Sequence, residues 1–314
     1  MSTKIRVLDA DAKSGDVASV LREDGAVIAR DVVSQHGVKS MTDQLAKMMA
    51  AEEVGGGEFM GNRTKSFGNL YSRGAIFSEQ ILLNNRILQV LDGTLLPQCR
   101  MGDVPVDSQS GAAQAGYNPA TFDYSSGFNQ PKRDPVTGPN CHHYRLHCAG
   151  IIEVWPGGKL QPLHREMDIY RPFIEHDPEQ PDWVVACLVA GTEFTAANGG
   201  TRIVVGSHRW SADRVPQESE ATQAEMPAGS ALFWLGRTFH GLGINRTELP
   251  RTAILTIFSV NWLSQEENQF LSVPPEIART LPEKAQQLVG YRGSMVGWST
   301  GRDNEFQLRE STPA

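Results

Sequence analysis

The sequence predicts an all-β core, an antiparallel barrel or jelly roll with α-helices packed outside it, and three observations carry that reading. Short strand-like runs crowd the second half of the chain: HYRLHCAGIIEVW at 143–155, WVVACLVAG at 183–191, TRIVVGSH at 201–208, SALFWL at 230–235 and TAILTIFSV at 252–260. Their β-branched and aromatic residues suit a pleated, half-buried surface. Glycine or proline bounds most of them and no regular helix follows each one, which argues against a doubly wound parallel sheet. The 30 Gly and 18 Pro among 314 residues supply the many turns such a core needs.

Taken in order, residues 16–33 read as a turn or two of helix with Val17, Val20 and Leu21, then the Asp24-Gly25 turn and the strand-like AVIARDVV. From 38 to 49, Val38, Met41, Leu45, Met48 and Met49 recur every three or four residues and mark a helix with one core-facing stripe. The stretch 53–71 mixes glycines with aromatics and polar groups, as a connector or a substrate lid does. A helical pattern returns over 79–95 through Leu83, Ile87, Val90 and Leu91, and is expected to back a sheet. Between 102 and 141 lies a loop rich in Gly, Ser, Asn and Pro that carries Tyr117, Phe122, Tyr124 and Phe128. No composition break separates two folding units, so residues 1–314 are expected to form a single domain with a loose C-terminal tail from 299.

Composition narrows the partners. Twenty-nine Lys and Arg against 36 Asp and Glu give a net charge of -7, so no positive field favours nucleic acid or an anionic membrane surface. No apolar run long enough to cross a membrane is present. Cys99, Cys141, Cys148 and Cys187 form neither a CxxC pair nor a dense staple pattern, which fits reduced thiols in a cytoplasmic protein.

The chemistry concentrates in QPLHREMD at 161–168. On an extended strand His164 and Glu166 point the same way, so an imidazole and a carboxylate can share one metal. Asp168 has the same parity but lies about 6.6 Å further along the strand. It is the alternative ligand if the chain bends sharply. His240, in the glycine-containing turn TFHGLG, is the candidate third ligand. Two imidazoles and one carboxylate on one face of an ion leave positions open, the arrangement of non-haem Fe(II) oxygenases. Arg251, at the start of a strong strand, offers a cationic fork for the distal carboxylate of a keto acid such as 2-oxoglutarate. Thr201 is placed to assist that end and Gln161 to reach the iron end. His208 is expected to make structural hydrogen bonds. Of the cluster His142, His143 and His147, the first two face opposite sides of a strand and the last is too distant to pair with His143.

These segments, QPLHREMD, NGGTRIVVGSHRW at 198–210 and TFHGLGINRTELPRT at 238–252, resemble the phytanoyl-CoA dioxygenase family, especially its small members that oxidise natural products. The resemblance runs from about Val17 to Trp262 and is strongest from Leu160 onward. It implies a double-stranded β-helix and Fe(II)- and 2-oxoglutarate-dependent oxygenation through an iron-oxo intermediate. In its terms His164 and His240 look like the two histidine ligands and Arg251 like the distal-carboxylate anchor. Gln161 and Thr201 resemble the residues that contact the two ends of 2-oxoglutarate. Glu166 stands where the family usually carries Asp, so its carboxylate has one more methylene to place.

The expected substrate is an apolar secondary metabolite, a terpenoid or alkaloid, enclosed by the loops at 55–73 and 117–129 and oxidised with dioxygen. A homodimer is the expectation by analogy with related oxygenases. Two other readings stand beside this one: an altered relative that binds a ligand or stabilises an oligomer, and a barrel oxygenase that does not use 2-oxoglutarate.

Overall fold

The computed structural model describes residues 4–55, 59–96, 98–101, 136–139, 141, 143–173, 181–211 and 213–291. The chain runs β1 (Arg6–Leu8), α1 (Ser14–Asp24), β2 (Ala26–Ala29), α2 (Gln35–Ala51), β3 (Thr64–Phe67), α3 (Ala75–Phe77), α4 (Asn85–Leu95), β4 (Gln98–Met101), β5 (Val136–Pro139), β6 (Tyr144–Val154) and β7 (Val184–Ala190). It continues through β8 (Arg202–Ile203), β9 (Thr222–Gln223), β10 (Ala231–Leu235), β11 (His240–Gly241), β12 (Arg251–Val260), α5 (Gln269–Ser272), α6 (Pro275–Ala278) and α7 (Glu283–Val289).

Seven strands form one large sheet in the order β1-β2-β10-β7-β12-β6-β3, three form a small sheet β11-β8-β9, and β4 pairs with β5. The sheet-dominated core with peripheral helices is the expected architecture. One edge departs from it: β1 runs parallel to β2, so the large sheet is mixed. The remaining pairings of that sheet are antiparallel.

Alternation along the central strands sorts the core into two layers. On β12, Ile254, Phe258 and Val260 face a cluster shared with Val17 and Leu21 of α1, Met41 and Leu45 of α2, Val90 and Leu91 of α4, and Leu288 of α7. Ala253 and Ile257 point the other way, into a cluster with Ala186, Leu188, Trp234, Phe194 and Ile203 of the small sheet. β7 and β10 divide the same way, Val185 and Phe233 against the helices, Ala186 and Trp234 toward the small sheet. The helices therefore cover one face of the large sheet and the small sheet covers the other.

Local chemistry sets the boundaries. α1 stops at Gly25, whose φ of 78° is left-handed and whose missing Cβ leaves room for His208 Nδ1 and Thr238 Oγ1. Ser34 caps α2 by accepting the Gly37 N–H at 3.1 Å. The continuous helix expected over 79–95 is broken: α3 passes into a π-helical turn at Ser78–Leu82, and α4 starts afresh where the Asn84 side chain accepts the N–H groups of Arg86 and Ile87. The strand expected over 201–208 is only Arg202–Ile203, because the chain turns at left-handed Gly206 into a single 3-10 turn. His208 sits there as expected, buried, with Nε2 against the Arg22 carbonyl at 3.2 Å. Tyr117, Phe122, Tyr124, Phe128, His142 and the tail from 299 lie outside the described residues.

Candidate metal centre and anion pocket

His164 and His240 face each other across a short antiparallel bridge in which each backbone N–H donates to the other's carbonyl, at 3.0 and 2.9 Å. The sequence places one on the chain entering the small sheet and the other at the first residue of β11. Their rings lie 4.3 Å apart between centroids. Glu166 reaches the same point by a route that strand parity did not foresee. It is not on an extended strand; it opens the 3-10 helix Glu166–Phe173, so the chain turns just after His164 and folds the longer carboxylate back. One ligand atom from each of His164, Glu166 and His240 lies within 4.8 Å of the others, close enough to share one ion. Asp168 does not join them; its carboxylate accepts from Arg165 Nε at 3.0 Å.

Hydrogen bonds orient both imidazoles the same way. His164 Nδ1 is 3.0 Å from the Pro162 carbonyl and His240 Nδ1 is 3.1 Å from the Thr238 carbonyl. A carbonyl only accepts, so each Nδ1 carries the hydrogen and each Nε2 presents a lone pair. That is the tautomer a metal needs. Glu166 Oε1 sits 3.1 Å from His240 Nε2. Burial works to raise the Glu166 carboxyl, but the two imidazoles that face it, His240 foremost, hold it below the ordinary carboxylate value. Burial, with the neighbouring His240, pushes His164 down to about 4, so it is neutral at physiological pH. Both states are those required of ligands.

The second feature is Arg251, fully buried at the start of β12. Its parity with Ala253 and Ile257 aims it between the sheets, where its guanidinium lies 4.3 Å above the Phe194 ring. Nε, Nη1 and Nη2 have no hydrogen-bond partner among the described residues, and neither has the buried hydroxyl of Thr201. Burial alone lowers Arg251 to about 9. A desolvated, unpaired guanidinium costs several kcal/mol, so a buried anion is its natural partner. Residues here thus fit a dicarboxylate whose far end is held by Arg251.

Gln161 lies between the two features. Its Oε1 accepts the Leu242 N–H at 2.9 Å, its carbonyl accepts from Arg202, and among the described residues its amide NH2 has only the Met60 thioether at 3.5 Å. Arg202, tied also to Glu218 and to the Leu242 carbonyl, was not singled out by the sequence, nor were Phe194 and Trp234, which packs 4.8 Å from His240. Trp234 lies in the strand-like run SALFWL and Phe194 falls between two such runs, and nothing in spacing distinguishes a core aromatic from one beneath a functional group. The stretch 53–71 contributes both edge strand β3 and the ring of Phe59, edge-on to His164 at 4.8 Å. Among the described residues, no other three His, Cys, Asp or Glu side chains converge in this way.

A sheet sandwich with two histidines and a carboxylate at one point, and a buried cation awaiting an anion, defines a class of metal-dependent oxygenase folds. The chain belongs to the phytanoyl-CoA dioxygenase family, whose family model matches residues 21–253. It is similar to the dioxygenase FUM3 of Gibberella moniliformis, 28% identical over 306 residues that cover 95% of this chain and 89% of the relative. Dioxygenase ALT11 of Alternaria alternata is 29% identical over 297 residues, covering 92% and 86%. Among solved structures it resembles HygX from Streptomyces hygroscopicus with nickel and 2-oxoglutarate bound, at a TM-score of 0.52 and 15% identity, covering 80% of this chain and 89% of that one. At that identity the likeness speaks to the fold.

Proposed function

We propose that this chain is an Fe(II)- and 2-oxoglutarate-dependent dioxygenase, built on a double-stranded β-helix, that oxidises a small, largely apolar natural product with dioxygen. The observation that carries the reading is the coexistence between the sheets of a convergent His164, Glu166 and His240 with a fully buried Arg251 whose guanidinium has no hydrogen-bond partner among the described residues. His164 and His240 would hold the iron through Nε2 and Glu166 through its carboxylate. Arg251 and Thr201 would hold the distal carboxylate of 2-oxoglutarate, and the amide NH2 of Gln161 its other end. Bound there, iron and keto acid together supply oxygen activation coupled to oxidative decarboxylation, which yields succinate and carbon dioxide.

The chain's own part is to orient and to exclude water. The two Nδ1–H bonds fix both rings before any ligand arrives, and the apolar wall of Leu188, Ala253 and Phe194 keeps the anion's neighbourhood dry and its charge pairing strong. The dioxygenases FUM3 and ALT11, and HygX with its bound 2-oxoglutarate, support the same chemistry.

Anaerobic addition of Fe(II) and 2-oxoglutarate tests this. A visible charge-transfer band is expected from the wild-type chain and none from His164→Ala or His240→Ala, with substrate-dependent succinate on admitting oxygen. A folded wild-type chain that binds neither solute would refute the assignment. Substrate turnover without succinate would favour a barrel oxygenase that uses no keto acid.

A further inference from the structure

The inner face of the large sheet carries a second group of polar side chains, remote from Arg251. β6 and β12 pair in register except at one point: Ile257 faces Cys148 and Phe258 faces Leu146, which leaves His147 as an extra residue in a β-bulge. The bulge re-aims His147 so that it lies beside Cys148 rather than against the helices. Its ring is buried, with Nδ1 3.2 Å from Ser259 Oγ and Nε2 3.2 Å from Tyr170 Oη. Tyr170 Oη also reaches the Ser264 carbonyl at 3.3 Å. Glu266 Oε2 stands 3.7 Å from His147 Nε2 and 3.9 Å from Cys148 Sγ.

Three observations give this group a function. First, its place. Ser259 is eight residues from Arg251 on the same strand, about 25 Å along it. Glu166 opens the 3-10 helix that carries Tyr170, and Tyr170 Oη meets His147 Nε2 at 3.2 Å, so the cluster adjoins the metal centre on its Glu166 side. The cluster therefore stands on the side of the metal centre away from the anion pocket. Second, its surroundings. Ile169, next to Tyr170, Trp262, two residues before Ser264, and Phe59, against His164, are large apolar residues about half exposed. Third, its chemistry. The Glu266 carboxylate is half exposed, and among the described residues the one donor that reaches it within 4 Å with hydrogen-bond geometry is the weak Cys148 thiol. The Tyr170 hydroxyl donates to the Ser264 carbonyl, so His147 Nε2–H donates to Tyr170 and Nδ1 accepts from Ser259, and neither residue has a hydrogen left for Glu266.

We propose that His147, Tyr170 and Glu266 form the polar end of the substrate subsite, and that the substrate is amphipathic: an apolar body against Phe59, Ile169 and Trp262, with a hydroxyl or a protonated amine donating to Glu266. This rests on the oxygenase reading and specifies its substrate class. Held by its donor on one side of the metal centre, such a molecule presents the carbons next to its polar group toward Glu166 and the two histidines, opposite the keto acid. Tyr170 belongs to the same 3-10 helix as Glu166, so subsite and metal carboxylate move as one piece.

The test uses three probes of one shape, cyclohexylamine, cyclohexanol and methylcyclohexane, titrated by ligand-observed NMR into the full chain loaded with Zn(II) and 2-oxoglutarate. The amine and the alcohol are expected to bind about tenfold more tightly than the hydrocarbon, the gain of a hydrogen bond to a charged group. Glu266→Gln should abolish the advantage of the amine, and Tyr170→Phe should weaken both polar probes while the hydrocarbon is unaffected. Whether amine or alcohol leads separates a cationic from a neutral donor. Equal binding of all three, no binding of the polar probes, or an undiminished preference in Glu266→Gln overturns the proposal. The same titration on the unloaded chain reads the subsite if metal or keto acid fails to bind, so failure of the oxygenase reading is seen separately.

Discussion

β12 has two faces with opposite demands. Outward, Ile254, Phe258 and Val260 fill a cluster closed by four helices; inward, the same strand carries Arg251 at one end and Ser259 at the other with Ala253 and Ile257 between. The outer face is apolar and satisfied, with even the buried Thr256 hydroxyl bonded to Tyr71 Oη at 2.7 Å. The inner face keeps the Arg251 charge without a hydrogen-bond partner among the described residues, as does the small sheet with the Thr201 hydroxyl just before β8. One residue's shift in parity thus separates a position that holds the fold together from one that waits for a ligand, and stability is conceded on the inner face for the sake of binding.

That contrast breaks most sharply at Arg251. Arg251→Met should weaken 2-oxoglutarate binding about a hundredfold or more, read from the charge-transfer band, while the ligand-free chain gains about 1–4 kcal/mol in urea denaturation because a buried unpaired charge is gone. A chain that loses stability together with affinity would erase the distinction between faces. Phe258→Ala should do the reverse: it destabilises by about 3–5 kcal/mol, yet the folded fraction binds 2-oxoglutarate normally.

Acid offers a third probe. Burial holds both His147, on the inner face, and His208, beside α1, down at about 4, against about 6.5 in the unfolded chain. The unfolded state therefore binds more protons between these values. Stability is fully present above about pH 6.5 and falls by up to a few kcal/mol as pH drops toward 4. Urea midpoints measured across that window should fall more shallowly in His147→Gln and His208→Gln. The smallest expected effect is Thr201→Val: about a fivefold loss of 2-oxoglutarate affinity with no loss of stability, since the hydroxyl it removes has no partner to leave behind.

The apolar periods made much of this legible. The stripes on α1 and α2 and the strands β6, β7, β10 and β12 follow from alternation, and His164, Glu166 and His240 were picked out as residue types able to share an ion. What alternation does not record is where a chain leaves a strand. Glu166 meets the histidines through a 3-10 turn, not through parity, and Asn84 interrupts a helix whose apolar spacing runs straight through it. The bulge that turns His147 inward depends on the register of β6 against β12, a relation between segments more than a hundred residues apart. The short helices over 269–289 and the parallel edge strand β1 are too brief to carry a period of their own.

The reciprocal amide bonds between His164 and His240 have a consequence for how an ion is captured. Seventy-five residues lie between the two, and closing so long a loop is an entropic debt settled when the sheets zip together, by peptide groups and the apolar cluster between the sheets. An incoming cation need order only side chains. Its affinity should therefore track the integrity of two backbone contacts as closely as the identity of its donors, and a substitution that unzips β11 from its neighbours would empty the site while leaving each of the three donor side chains in the sequence.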